Sequence, residues 1–395
     1  MKKRFRIIAL LLSASLMTCA CAAATEEEKE PVASETPQKE ESVPEEAEYQ
    51  GKLDEIVPTA YNNAEGLNLE PGTYISIIGK DSDNAFWKEV KRGVEQAAAD
   101  INEVLGYEGN DKVKVTFSSP KEADNVDEQV SILDEELARY PIALGISIAD
   151  VQACEVQFDI ALENNIPIVA FDSGSEYQGI QAMVSTDNEA TGVFAADRMA
   201  SMINESGDVI MFVHESDSEA AMDRAEAFSK ELEKKYDGIS VVKKVYWDSL
   251  DELKKELLDA VHTGAYEVEG SDELTEDTIS KEDIVDYILA VNPDVKGCYA
   301  TNSMTTQLFA EGLERREMHD AVLIGYDAGE EQMQALRDGK VDGLIVQNPF
   351  GMGYAAVIAC ARAGLSVGNE AFVNTGYTWV DKSNMETEDV LKMLY

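Results

Sequence analysis

The chain has 395 residues, with 77 Asp and Glu against 33 Lys and Arg, for a formal charge of −44. So acidic a surface excludes nucleic acid as a partner, because neutralising a phosphate backbone needs clustered Lys and Arg. Long-range repulsion likewise disfavours strongly anionic ligands, while the length is enough for two core-forming domains.

Lys2, Lys3, Arg4 and Arg6 give a basic start, and residues 7–17 form an apolar stretch too short for a stable bilayer span. Cys19 and Cys21 follow, and the stretch resembles a bacterial lipoprotein signal ending in a cysteine preceded by small residues. Cys21, after Ala20, fits that pattern better than Cys19, after Thr18. The expectation is a signal over residues 1–21 with acylation at Cys21, which anchors a chain without any transmembrane helix. An ordinary secretory signal is the alternative. From Glu26 to Glu48 the composition is dominated by Glu, with Pro31, Pro37 and Pro44 and few apolar residues. Such a segment cannot bury enough surface to offset its ordering entropy, so a disordered, self-repelling tether is expected, drawn over residues 22–71.

Beyond the tether, apolar runs of about five residues alternate with segments of helical period, the pattern of βαβ units and a parallel sheet. Strands are expected at 74–78, 113–117, 142–146, 167–171 and 182–185, with helices at 85–101, 126–140 and 149–164 between them. A second block repeats the scheme, with strands at 209–213 and 239–246 and others ending at Thr301, Tyr326 and Val346. Its helices fall at 186–203, 219–236, 250–261, 281–291 and 351–363. The acidic stretch 263–278 reads as a surface insertion, and 372–380 as a final extended segment. Two similar blocks imply two α/β lobes facing one cleft.

Four apolar runs end directly on a ligand-capable side chain. Ile166-Pro-Ile-Val-Ala-Phe171 leads into Asp172, and Val295-Lys-Gly-Cys-Tyr-Ala-Thr301 into Asn302. Ala321-Val-Leu-Ile-Gly-Tyr326 leads into Asp327, and Gly343-Leu-Ile-Val346 into Gln347. A fifth run, at 74–78, reaches Asn84, Phe86 and Trp87 after a short loop. Ligands of open parallel sheets bind outside the carboxyl ends of the strands. Acids, amides and aromatics at those ends suit a neutral, polyhydroxylated molecule. Cys154, Cys298 and Cys360 have no CxxC partner and read as small buried hydrophobes; a disulfide is the alternative. With His214, His262 and His319 equally scattered, no metal or cofactor is expected.

In these motifs the chain resembles the type 1 periplasmic sugar-binding proteins, the ribose- and galactose-binding family. The marks are Asp83-Asn-Ala-Phe-Trp87, the run into Asp172, Ser185-Thr-Asp-Asn188, and Ala220-Ala-Met-Asp-Arg-Ala-Glu-Ala-Phe228. Ala300-Thr-Asn302, Ile324-Gly-Tyr-Asp327 and Ile345-Val-Gln347 complete them, and the resemblance covers residues 72–380. It implies an α/β fold of two doubly wound parallel-sheet lobes joined by a three-stranded hinge. Lobe one would hold 72–185 and 348–369, and lobe two 186–346 and 370–395, with crossings near Thr186, Gln347 and Phe372. Closure on ligand would occur at that hinge.

The resemblance also implies site roles. Asp172 and Asp327 would accept from sugar hydroxyls, while Asn84, Asn302 and Gln347 donate and accept. Arg224 would donate while balancing the two carboxylates, and Phe86 and Trp87 would cover the apolar face of the ring. Other roles stay open at this point. Asp172, Asn302 and Asp327 could cap helices that follow them, Phe86 or Trp87 could be core, and Arg224 could pair with Asp223 or Glu226 on the surface. Asp187 and Asn188 read as hinge and cap. Ribose-binding relatives carry Arg after the aspartate matching Asp172, whereas this chain has Ser173; after Asn302, where they often have Asp, it has Ser303. A ligand other than ribose is therefore as plausible.

The expected function is a monomeric, lipid-anchored receptor on the outer face of the bacterial cell membrane. It would capture a neutral sugar or polyol and deliver it to an ABC transporter permease; signalling to a membrane sensor without transport is the alternative. A repressor of this fold needs a helix-turn-helix where this chain has a signal and tether. An enzyme, such as a glycosidase using Asp172 and Asp327, would need a nucleophile–base arrangement, phosphate loop or metal cluster that the sequence does not offer.

Overall fold

The computed structural model describes residues 49–123, 125–268 and 274–395. The signal, Cys19, Cys21 and the Glu-rich run lie outside the described residues.

Strands β1 (Tyr74–Ile78), β2 (Lys114–Ser118), β3 (Ala143–Ile146), β4 (Ile168–Phe171) and β5 (Ile180–Ser185) belong to one sheet. Strands β6 (Gly207–Val213), β7 (Ile239–Tyr246), β8 (Gly297–Ala300), β9 (Val322–Tyr326) and β10 (Gly343–Gln347) belong to a second. β11 (Phe372–Asn374) completes the first sheet, in the order β11-β5-β4-β3-β1-β2, and every pairing in it is parallel. β12 (Tyr377–Val380) completes the second, in the order β12-β10-β9-β8-β6-β7, and runs antiparallel to β10. The two-lobed α/β fold read from the sequence is the fold observed.

Each sheet is buried on both faces, which is why its strands read as continuous apolar runs. In lobe one, Ile75 and Ile77 of β1 enter the core beneath helices α2 (Ala85–Leu105) and α11 (Pro349–Gly364). Ile78, with Leu144 and Ile146 of β3, enters a separate core under α4 (Val151–Glu163). Lobe two divides likewise: Leu344 and Val346 face one core and Ile345 the other. Cys154, Cys298 and Cys360 are free and wholly buried in these cores.

Helices α2 and α11 meet backbone to backbone. A Cβ on Gly93 would lie 2.0 Å from the Phe350 carbonyl oxygen, and one on Gly353 2.0 Å from that of Val90. Only glycine fits at either position, and the contact sets the spacing between α11 and α2, whose first turn carries Phe86 and Trp87.

Three boundaries differ from expectation. Residues expected in the tether are packed: Leu53, Ile56, Tyr61, Leu67 and Leu69 are buried in the lobe-one core beside a short helix, α1 (Gln50–Asp54). Their apolar side chains recur closely enough between the polar ones to repay ordering. The tail expected in lobe two is divided, because β11 pairs with β5 in lobe one and only β12 joins lobe two. Gly376, at φ +78°, makes the turn between them, so the third crossing lies at Thr375–Gly376 and not at Phe372. Between helices α7 (Asp251–His262) and α8 (Lys281–Val291) the described residues of the 263–278 stretch form no helix or strand, and 269–273 lie outside them.

The three crossings are bonded to one another. The Thr375 N–H donates to the Ser185 carbonyl at 3.0 Å, and Thr186 Oγ1 donates to Gln347 Oε1 at 3.2 Å. The Asn348 amide Nδ2 donates to the Thr375 carbonyl at 2.9 Å while its Oδ1 caps α11.

Candidate functional site

The strands of both sheets deliver their following loops to one cavity of about 100 Å³. All eight residues picked from the sequence line it. Asn84, Phe86, Trp87 and Asp172 come from lobe one; Arg224, Asn302 and Asp327 come from lobe two; Gln347 stands on the second crossing. The sequence reading missed others on the same wall, namely Lys80, Asp81, His214, Glu215 and Ser218.

Asp172 and Asp327 occupy matching places, after the third strand of each sheet order. Both have left-handed backbones, φ +58° and +72°, a conformation that a non-glycine residue adopts at a cost of about 1–3 kcal/mol. Each is held there by the neighbouring strand: the Asp172 N–H donates to Val184 O and the Asp327 N–H to Ile345 O, both at 2.9 Å. Such strain persists where the surroundings over-determine it, and here it turns both carboxylates off the strand ends to the cavity. Neither caps a helix. The next element after Asp172 is β5, and α10 (Glu330–Asp338) is preceded by Gly329.

Their environments differ. Asp172 is half-buried and accepts from Ser147 Oγ at 2.9 Å. Burial pushes its carboxyl above the ordinary value, against the opposing pull of Lys80, the Ser147 bond and Arg224. Asp327 is buried and its oxygens are well supplied. Oδ2 accepts from the Ser303 N–H at 3.0 Å; Oδ1 accepts from Gln347 Nε2 at 2.9 Å and from the Tyr395 hydroxyl at 3.0 Å.

Arg224, on α6 (Glu219–Lys235), is not a surface residue; it is 3% exposed. Its guanidinium lies over the Tyr326 ring, 4.3 Å from the centroid. Nε donates to Asn188 Oδ1 at 2.9 Å, Nη1 to the Thr301 carbonyl and Nη2 to Gln347 Oε1, both at 2.6 Å. It therefore reaches Asp327 through Gln347, and its charge acts on Asp172 through space, lowering that carboxyl. Gln347 is engaged at both ends of its amide. Asp187 caps α5 (Asn188–Met202) through the Ala190 N–H at 2.9 Å, in keeping with its reading as a cap, while Asn188 is an Arg224 partner.

The two asparagines do cap helices. Asn84 Oδ1 accepts the Trp87 N–H at 2.9 Å, and its Nδ2 donates to Asp81 Oδ2 at 2.8 Å. Asn302 Oδ1 accepts the Thr305 N–H at 2.9 Å at the start of α9 (Ser303–Arg315), in a capping box that leaves Nδ2 for the cavity. Phe86 and Trp87 are both core and wall. They pack edge to face at 5.3 Å, Trp87 also meets Phe171 at 6.2 Å, and both line the cavity.

His214 follows Val213 at the end of β6, and its Nδ1 lies 2.7 Å from Thr301 Oγ1. Burial pushes its imidazole down to about 3, with Arg224 and Lys80 acting in the same direction against Glu215, so the ring is neutral near pH 7. The lobes touch at the cavity's rim. Lys80 Nζ stands 3.2 Å from Glu215 Oε2, and the buried hydroxyls of Ser173 and Ser218 are 3.2 Å apart. The lining thus alternates carboxylate acceptors with amide, hydroxyl and cationic donors. Among the described residues, no group of three or more His, Cys, Asp or Glu side chains is placed to hold a metal.

A model of the periplasmic binding protein domain matches residues 75–365. The ribose import binding protein of Escherichia coli is 23% identical over 284 residues, 72% of this chain and 82% of that one. Among solved structures, a carbohydrate transporter solute-binding protein from Agrobacterium radiobacter in complex with D-arabinose superposes with TM-score 0.64 at 24% identity. It covers 82% of this chain and 99% of its own. An ABC transporter solute-binding protein from Agrobacterium vitis bound with α-D-tagatopyranose gives TM-score 0.67 at 21% identity, with 82% and 99% covered.

Proposed function

The chain belongs to the periplasmic binding protein domain family, and from that premise we propose that it is an extracytoplasmic receptor that captures a neutral sugar or polyol for an ABC importer. The observation that carries this reading is the cavity itself. Strand ends of two separate sheets converge on it with two strained carboxylates, three amides, a buried arginine and two aromatics. A sugar hydroxyl both donates and accepts, so a dry site must match it pairwise; each buried group left unpaired costs about 1–3 kcal/mol. The names of the ribose, arabinose and tagatose relatives support the same ligand class.

In this reading Asp172 and Asp327 accept from hydroxyls, Arg224 and the amides of Asn84 and Asn302 donate, and Phe86 and Trp87 face the C–H surface of the ring. Gln347 acts mainly by fixing Asp327 and Arg224. Ser173 brings no cation, but Lys80 supplies one to the same cavity from the end of β1. A donor entering from another strand meets a different hydroxyl, which favours a pentose, hexose or polyol other than ribose. The protein binds and releases its ligand unchanged and acts as a monomer. Acylated Cys21 holds it at the outer membrane face, beside the permease.

A thermal-shift screen of neutral pentoses, hexoses and polyols tests this directly. A ligand that binds only the folded state at one hundred times its Kd adds about 2.7 kcal/mol of stability, read as a higher Tm. Asp172→Ala is expected to abolish that shift. A hit whose shift survives Asp172→Ala would remove the site assignment, and turnover of the sugar would remove the binding reading.

A further inference from the structure

Beside the inner cavity lies an outer one of about 450 Å³, and the two share four wall residues: Asn84, Phe86, Ser303 and Asp327. Tyr395 lines the outer cavity only. It touches two of the shared residues, one from each lobe. Its hydroxyl donates to Asp327 Oδ1 at 3.0 Å, and its ring stands edge-on to Phe86 with centroids 6.3 Å apart at 74°. The preceding residue is tied down as well, since Lys52 Nζ donates to the Leu394 carbonyl at 3.1 Å. Tyr395 is thus a fixed partition, braced on lobe one by Phe86 and on lobe two by Asp327.

We infer that Tyr395 sets the size of the ligand, closing the inner cavity so that it accepts a free monosaccharide and rejects the same sugar carrying a second residue. This rests on the sugar-binding reading proposed above and narrows it. The chemistry follows from what the partition occupies. A substituent on the hydroxyl nearest Asp327 would have to pass between Phe86 and Asp327, where the Tyr395 ring stands. Beyond that ring there is room for a second sugar unit. Tyr395 also supplies a donor to Asp327 Oδ1, so the carboxylate turns Oδ2 and its remaining lone pair to the ligand.

The test is calorimetric titration of the wild type and of Tyr395→Ala, Tyr395→Leu and Tyr395→Phe, each first shown to melt cooperatively. The probes are D-ribose, D-xylose, D-glucose and D-galactose, their methyl glycosides, and the disaccharides xylobiose, cellobiose and lactose. The wild type is expected to bind at least one free monosaccharide and to discriminate against its substituted forms. Tyr395→Ala and Tyr395→Leu are expected to shift the ratio of substituted to free sugar by about tenfold or more toward the larger ligand, the range set by sterics in an apolar pocket. Tyr395→Phe, which keeps the ring, is expected to hold the wild-type ratio. A wild type that binds the monosaccharide and keeps the same ratio in both small variants overturns the partition alone. A wild type that binds no sugar or polyol, here or in the wider thermal-shift screen, overturns the sugar reading and this inference with it.

Discussion

His214 sits against the ligand-lining groups with its Nδ1 pinned to Thr301 and its charge suppressed by burial. The unfolded imidazole takes a proton near pH 6.5, whereas the folded one resists until about pH 3. A group whose folded value is depressed in this way adds stability that is fully present above pH 6.5 and lost as pH falls toward 3. Each pH unit between the two values carries about 1.4 kcal/mol. His214→Gln, which keeps a hydrogen-bonding side chain without the titration, is therefore expected to flatten the loss of stability between pH 6.5 and 3, followed by urea unfolding at stepped pH. An unchanged profile would mean that the folded ring takes up its proton as readily as the unfolded one. The same residue shows where the sequence reading stopped short. The rule that found Asp172, Asn302, Asp327 and Gln347 was an apolar run ending on a polar side chain, and Val209-Ile-Met-Phe-Val213 runs into His214 and Glu215 by the same rule. Lys80 and Asp81 stand in the loop already singled out for Asn84. Tyr395 left no such signal, because its place depends on a tertiary return of the chain across both lobes.

At the scale of elements, the strands were legible because burial on both sheet faces forces continuous apolar runs. The starts of α2, α4 and α5 were legible to within two residues, the cap oxygens of Asn84, Asp150 and Asp187 setting where each begins. The run 372–380 misled because strand residues on either side of Gly376 are alike in composition while pairing with different sheets. Residues 50–69 misled because acidic neighbours diluted Leu53, Ile56 and Tyr61, which nevertheless reach the core. Helix-to-helix spacing was not legible at all. Gly93 reads as one neutral residue in a helical pattern, yet the approach of α2 to α11 depends on it. Gly93→Ala would press a methyl into the Phe350 carbonyl and force the helices apart. The expected cost is about 1–3 kcal/mol, as for other overpacked sites, measured by chemical denaturation. The displaced first turn of α2 should also weaken ligand binding. Gly66→Ala is a useful contrast: no atom lies within 4 Å of its added Cβ, so its cost should come from the φ of +76° alone and leave binding intact.

For the whole molecule, each lobe has its own pair of cores, so the relative placement of lobes rests on the three crossings and on contacts over the cavity. The crossings are bonded to one another: Thr186 to Gln347, Asn348 to Thr375, and Thr375 to Ser185. Over the cavity, Lys80 meets Glu215 with side chains 6% and 21% exposed, and Ser173 meets Ser218. In a hinged receptor these rim contacts exist only when the lobes are together, so they add to closure and not to the stability of either lobe. Glu215→Gln keeps the shape and removes the charge. It should leave the unfolding midpoint without ligand nearly unchanged, because neither core loses a contact. It should instead lower ligand affinity by about tenfold, since loss of one partner of a mostly desolvated ion pair costs on the order of 2 kcal/mol, reduced here by the partial exposure of Glu215. The loss should appear in the dissociation rate, because the closed state opens more readily. Small-angle scattering at subsaturating ligand should show a larger radius of gyration for the variant than for the wild type, converging when ligand is in excess. Equal affinity and equal radii across the titration would show that the rim pair is a passive surface contact and that the closed geometry is set without it.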